Sequence, residues 1–79
     1  MTLSQVIVAL TVIQTKMSDN GLSLDYNCVF YADSEKYPIY LSLNENTVLN
    51  ILENPNNHIS DNGKYFVIPL EDAIHGERL

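Results

Sequence analysis

Apolar residues near the start of the chain recur at the spacing of one helical face. They are Leu3, Val6, Ile7, Leu10, Ile13 and Met17. Thr2 is followed three residues later by Gln5, a capping-box pattern, and Asn20-Gly21 is a left-handed stop of the kind found after helices. Valine and isoleucine alone would favour a strand, but an unbroken stretch this long is unusual for one. The pattern predicts a helix over residues 2–17.

Two segments further along alternate apolar and polar positions, as strands do. In residues 24–32 one face carries Leu24, Tyr26, Cys28, Phe30 and Ala32. In residues 37–43 one face carries Tyr37, Ile39, Leu41 and Leu43. Residues 33–36 between them are polar and predict a turn, so we expect the two strands to form a hairpin.

A second helix is predicted to open at the capping-box pattern of residues 42–45 and to run through about Asn54. Ser42 and Glu45 repeat the capping-box spacing, and Pro55 ends the helix. Its apolar face comprises Val48, Leu49, Ile51 and Leu52. After a polar loop, residues 64–70 form a third strand. Residues 71–76 can add one helical turn, with acids at its start and a glycine at its stop.

The prolines predict the order of the strands. Pro38 and Pro69 each lie in a strand, and proline is tolerated mainly at sheet edges or strand ends. The first strand has no proline and is the richest in apolar residues, so we expect it at the centre. The sequence thus predicts one α+β domain over residues 1–79, with the order α-β-β-α-β. Its three-stranded antiparallel sheet has the order 2-1-3, with two helices on one face.

The tetrapeptide Ser-Asp-Asn-Gly occurs twice, at residues 18–21 and 60–63. Calcium loops need oxygen ligands at alternating positions and a closing carboxylate, and neither copy is followed by that set. The flanking residues of the two copies do not match, which argues against an internal duplication. Asparagine and glycine both accept positive φ, and Ser and Asp bond nearby N–H groups. We therefore predict a turn used twice between a helix and a strand.

The residues that most often carry chemistry are few and widely spaced. Cys28, His58 and His75 show no metal-ligand spacing. We expect Cys28 on the core face, His58 in solvent and His75 at a helix end. No phosphate-binding or nucleophile motif is present, and so short a chain leaves little volume for a closed pocket. The sequence predicts no enzyme, no cofactor and no metal.

The charge balance narrows the class of partner. Ten acidic residues against four basic ones argue against direct nucleic-acid binding and against anionic membrane surfaces. The same charge permits a basic partner, or serves only solubility. A lone cysteine excludes an internal disulfide and fits a reducing compartment. The apolar run at residues 6–13 is too short to span a bilayer and lacks the basic start of a signal peptide, so we expect a cytoplasmic protein.

Aromatic residues predict a contact surface on the sheet. If the helices cover the face of Tyr26 and Phe30, then Val29, Tyr31 and Tyr40 lie on the other face. Strand three would add to it either Tyr65 and Val67 or Phe66 and Ile68. Exposed patches of this kind often mark contact sites. Carboxylates expected nearby complete the predicted partner-binding set, namely Asp25, Asp33 and Glu35.

These features together predict a small non-catalytic protein that occupies the surface of a partner protein. Small size, acidity and the absence of catalytic motifs are typical of inhibitors from phages and mobile elements, of the anti-CRISPR or antirestriction type. The target of such an inhibitor would be a basic nucleic-acid-handling complex. The alternative is a homo-oligomeric structural or regulatory subunit that pairs through its open sheet face or an edge strand.

Overall fold

The computed structural model describes residues 1–32 and 41–72. Predictions for residues 33–40 and 73–79, which include Pro38 and His75, lie outside the described residues. The elements in chain order are helix α1 (Leu3–Asp19), strand β1 (Asn27–Ala32), strand β2 (Leu41–Ser42), helix α2 (Glu45–Glu53), a 3₁₀ turn (Pro55–His58) and strand β3 (Tyr65–Asp72). The small α+β class is as predicted, but residues 71–72 extend β3 instead of starting a helical turn.

Helix α1 begins with the predicted capping box. The Gln5 N–H donates to the Thr2 hydroxyl at 3.1 Å, and the Thr2 N–H donates to the Gln5 side-chain oxygen at 2.8 Å. These two bonds satisfy donors that the first helical turn leaves without partners. On the exposed side of α1 the Thr11 and Thr15 hydroxyls donate to carbonyls four residues earlier. The capped end offsets the weak helix propensity of a valine- and isoleucine-rich segment.

The first Ser-Asp-Asn-Gly copy ends α1. Gly21 has φ of 72°, and its N–H donates to the Ser18 carbonyl at 3.0 Å, while the Leu22 N–H donates to the Met17 carbonyl at 2.9 Å. This pair of bonds is the Schellman motif, which requires a left-handed residue just beyond the helix. The predicted turn chemistry is confirmed here.

The second copy makes a different turn with the same residues. It reverses the chain between Ile59, which forms an isolated antiparallel bridge with Phe66, and the start of β3. The Gly63 N–H donates to the Ser60 carbonyl at 2.8 Å, and the Lys64 N–H donates to the Asn62 side chain at 3.0 Å. Gly63 has φ of 71°. One tetrapeptide therefore ends a helix in one place and closes a hairpin in another.

The sheet does not have the predicted order. β1 and β3 pair in parallel over six residues, starting with Asn27 opposite Tyr65, and β2 pairs antiparallel with Glu71 and Asp72 at the far end of β3. The order is β1-β3-β2. The antiparallel 2-1-3 sheet and the hairpin of strands one and two were wrong, because β3 lies between β1 and β2. Among the described strands, β1 therefore lies at the edge and β3 is central.

Pro69 explains why the argument from proline failed. The carbonyls of Tyr65 and Val67 point away from β1, where they lie 2.9 Å from the Ser60 nitrogen and 3.3 Å from His58 Nδ1. Backbone groups alternate in direction along a strand, so the Pro69 nitrogen also points away from β1. In the part of the chain that the structure describes, β2 pairs only with Glu71 and Asp72 of β3. The missing N–H thus costs no strand pairing, although the strand as a whole is central.

Helix α2 begins two residues later than the capping box at Ser42 and Glu45 predicts. Its N-cap is Asn44, whose side chain accepts from the Asn46 N–H at 2.7 Å, while Ser42 belongs to β2. α2 ends at Glu53, and Asn54 is extended with φ of −151° and ψ of 86°, as expected before a proline. Pro55 then opens the 3₁₀ turn in place of the predicted polar loop.

The core lies between the helices and one face of β3. Its buried apolar residues are Ala9, Ile13, Met17, Leu43, Val48, Ile51, Phe66 and Ile68. Ile51 is completely buried, as is Pro55 of the 3₁₀ turn. Each such side chain contributes about 1.5–3 kcal/mol through removal from water. The two β3 residues of this core, Phe66 and Ile68, lie on one side of the strand. The other side of the sheet therefore points away from the core.

Candidate contact surfaces

The sheet has a face that points away from the core. Phe66 and Ile68 are buried in the core, so the alternate residues of β3 point to the opposite side. The parallel register places alternate residues of β1 beside them. We call this surface the open face; it comprises Asn27, Val29, Tyr31, Tyr65, Val67 and Pro69.

Two tyrosines bracket the open face. Val29 lies opposite Val67 in the middle, and both are half-buried. Tyr65 lies at one end and is 39 % exposed, and Tyr31 lies at the other end and is 56 % exposed. The two positions are four residues apart in register, about 13 Å along the strands. Large, exposed aromatic side chains around a small apolar centre are suited to contact with another protein.

The structure locates three of the six predicted partner-binding residues. Val29 and Tyr31 lie on the open face, and Asp25 is exposed two residues before β1. Tyr40, Asp33 and Glu35 lie outside the described residues. The choice left open for β3 is settled in favour of Tyr65 and Val67.

Acidic side chains dominate the charged surface of the described part of the chain. They are all exposed: Asp19, Asp25, Glu45, Glu53, Asp61 and Glu71. Alternation along β3 puts Glu71 on the same side as Tyr65, two residues beyond Pro69. Its carboxylate accepts from the Asn44 side chain at 2.7 Å, which holds it in one position. The open face thus ends at a fixed carboxylate.

A second surface, which sequence reasoning missed, is a groove between α1 and β1. Its volume is about 330 Å³, and Ile13, Met17, Phe66 and Ile68 are among the residues that line it. The remaining lining residues are Leu10, Thr11, Gln14, Leu24, Tyr26 and Cys28. No charged side chain is among them. The groove arises because α1 packs toward α2 and the 3₁₀ turn and leaves this face of β1 uncovered.

The apolar stripe of α1 is divided between core and solvent. Ala9, Ile13 and Met17 are buried, whereas Leu3, Ile7 and Leu10 are exposed. The three exposed residues lie on one side of the helix, since they are three or four positions apart, and Leu10 lines the groove. We call them the α1 flank. The sequence signal for this division is the width of the apolar arc on α1, which is greater than one small core can cover.

Two single residues differ from their predicted surroundings. Cys28 lies on the helix side of the sheet, opposite Phe66. It is nevertheless exposed and does not belong to the core, because β1 lies beside the groove. His58 is half-buried instead of solvated. Its Nδ1 lies 3.3 Å from the Val67 carbonyl, and its ring centroid lies 6.2 Å from that of Phe66. Both features make His58 part of the support for β3.

Within residues 1–32 and 41–72, no group of three or more His, Cys, Asp or Glu side chains is placed to hold a metal ion. In the same part of the chain, no helix has the length and apolar character needed to cross a membrane.

Among known proteins, no protein-family model, no curated protein and no solved structure matches the chain.

Proposed function

We propose that the protein is a small non-catalytic binding protein that acts by occupying a partner protein's surface through its open face. The observation that supports this is the pair of exposed tyrosines, Tyr31 and Tyr65, on either side of Val29 and Val67. Tyrosine supplies large contact area at low cost in side-chain entropy. Both helices contribute to the core on the other side of the sheet, so neither of them competes with a partner for this face.

Charge supports a basic partner. The described residues expose six carboxylates and one ammonium group, that of Lys64, with Lys16 half-buried. Glu71 adds an acid at the end of the open face, and its position is fixed by Asn44. Complementary charge raises association rates and suppresses wrong partners. The proposed partner is therefore a protein with a basic surface, such as the nucleic-acid groove of a larger complex.

The biological setting that fits this proposal is inhibition in the cytoplasm, by a phage or mobile-element protein of the anti-CRISPR or antirestriction type. The exposed carboxylates do not form a run along the chain, which favours steric blocking over imitation of a nucleic-acid backbone. An inhibitor that works by steric blocking needs a stable surface and no reactive group.

A crosslinking experiment tests the proposal. A photoreactive residue at position 31 or 65 is expected to capture a protein from a host lysate, and the same residue at position 49 is expected not to. Leu49 is a matched control because it is 62 % exposed on α2, away from the open face. Captured proteins are identified by mass spectrometry.

Competition decides whether the capture is specific. Excess wild-type protein should abolish crosslinking at position 31. Excess protein with Tyr31→Ala and Tyr65→Ala should compete about tenfold less well or worse, because tyrosines are among the residues whose truncation most often removes much of the binding energy of an interface. Equal competition by the wild type and the double variant would show that the open face is not the binding surface.

A further inference from the structure

Within residues 1–32 and 41–72, no strand pairs with the second edge of β1, and the strand itself carries none of the residues that protect sheet edges. The Asn27 N–H donates to the Lys64 carbonyl, across to β3. Because backbone groups alternate in direction, the N–H and C=O groups of Cys28 and Phe30 point away from β3, toward the free edge. Natural edges are blunted by lysine, proline, inward charge or bulges. The segment Asn27–Ala32, with the sequence NCVFYA, has no charged residue and no proline.

Apolar surface continues from this edge onto the helix side of the sheet. Phe30 is 60 % exposed there, next to the groove. The α1 flank borders the groove through Leu10, which lines it from the side of the helix. One partner placed against β1 would therefore meet the edge, the groove and the flank together.

The absence of charge on this surface selects the kind of partner. The lining of the groove, the α1 flank and β1 contain no acidic or basic residue, although the chain has a net charge of −6. A partner recognised by charge gains nothing here. A second copy brings the same uncharged surface, and its β1 edge presents the backbone groups of Cys28 and Phe30 in the orientation that antiparallel pairing about a two-fold axis requires.

We propose that β1 pairs antiparallel with β1 of a second copy, so that two sheets join into one of six strands and the two α1 flanks meet above the paired edges. The backbone groups of Cys28 and Phe30 find partners in the other copy. Both grooves are closed, since each α1 flank lies over the joint between the sheets. The dimer uses a different surface from the open face, so its existence does not depend on the proposed function.

The primary test compares charged substitutions at matched positions by sedimentation equilibrium. The wild type is expected to have about twice the chain mass at high micromolar concentration. Phe30→Lys should weaken the dimer roughly tenfold or more, because it places an unpaired charge in a desolvated contact. Leu49→Lys, at a residue of nearly equal exposure (62 % against 60 %), should leave it unchanged.

A second pair of variants guards against local misfolding of β1. Ile7 and Val8 are adjacent on α1 and are 57 % and 61 % exposed, but only Ile7 belongs to the flank. Ile7→Lys should weaken the dimer and Val8→Lys should not. Circular dichroism at low concentration should show the same helical content for all four variants and the wild type.

Hydrogen exchange distinguishes edge pairing from other modes of dimerisation. The amides of Cys28 and Phe30 should become protected as concentration rises, and the protection should be lost in Phe30→Lys. A strictly monomeric wild type, a dimer whose Cys28 and Phe30 amides stay unprotected, or equal effects of Ile7→Lys and Val8→Lys would each overturn the proposal.

Discussion

The two phenylalanines of the chain mark two differently packed halves of the molecule. Phe66 and Phe30 lie on the same side of the sheet in neighbouring strands, yet Phe66 is 5 % exposed and Phe30 is 60 % exposed. Phe66 belongs to the central strand, where α1, α2 and the 3₁₀ turn all pack. Phe30 belongs to an edge strand that the helices do not cover. The position of a strand in the sheet, more than its own apolar content, decides which side chains are buried.

The packed half accounts for the stability of the single chain. It comprises β3, α2, the 3₁₀ turn and the buried stripe of α1, and it contains every residue of the buried core except Leu43, which directly follows β2. The open half comprises β1, the groove and the α1 flank. Its exposed apolar residues gain little from folding of the monomer, and the proposed dimer would bury them between two molecules.

Substitution of each phenylalanine is the strongest test of this difference in packing between the two halves. Phe66→Ala should lower the free energy of unfolding by about 3–5 kcal/mol, a large share of the roughly 4–12 kcal/mol expected for a chain of this length. Phe30→Ala should lower it by less than about 1 kcal/mol at concentrations where the protein is monomeric. Urea denaturation followed by circular dichroism measures both. Equal losses would show that the two halves are packed alike.

Substitution of the turn glycines should lower stability by a smaller amount, and the loss should be the same at both turns. Gly21 and Gly63 have nearly equal positive φ, and a Cβ at either would meet no atom within 4 Å. Gly21→Ala and Gly63→Ala should therefore cost only backbone strain, about 1–2 kcal/mol each. Thermal unfolding of the two variants checks this. A much larger loss for Gly63→Ala would mean that its turn has a packing role beyond backbone conformation.

The smallest expected effects separate a helix cap from an exposed hydroxyl on the same helix. Thr2→Ala removes the capping box and should cost about 1 kcal/mol. Thr11→Ala removes only an exposed bond to the Ile7 carbonyl and gains helix propensity, so the change should stay within about 0.5 kcal/mol. Chemical denaturation of both variants against the wild type resolves the difference. A greater loss of stability for Thr11→Ala than for Thr2→Ala would show that Thr11 packs against other residues, in conflict with its exposed position on α1.

Local signals in the sequence predicted the elements well. The capping box at Thr2 and the Asn-Gly pairs each act through bonds within a few residues, so the bounds of α1 and the two turns followed from them. The face on which Val29 and Tyr31 lie followed from alternation alone. These features need no knowledge of which segments meet in space.

Long-range features were not predicted for a physical reason. The sheet order depends on the direction in which the Pro69 nitrogen points and on which end of β3 pairs with β2, and neither is encoded by residue type. The groove depends on where α1 lies over the sheet. Leu3, Ile7 and Leu10 have the same spacing as buried residues, so only tertiary contacts separate the flank from the core.

The parallel pairing of β1 with β3 also sets the timing of events on the ribosome. Each residue of β1 pairs with one 38 positions later in the chain. At about 5–20 residues per second, synthesis of that interval takes roughly 2–8 s. During this time the NCVFYA segment has been made, but β3, the strand that pairs with it among the described residues, has not. A nascent chain thus carries β1 without β3 for seconds, and crowded polysomes would be the setting in which neighbouring copies first form the proposed dimer.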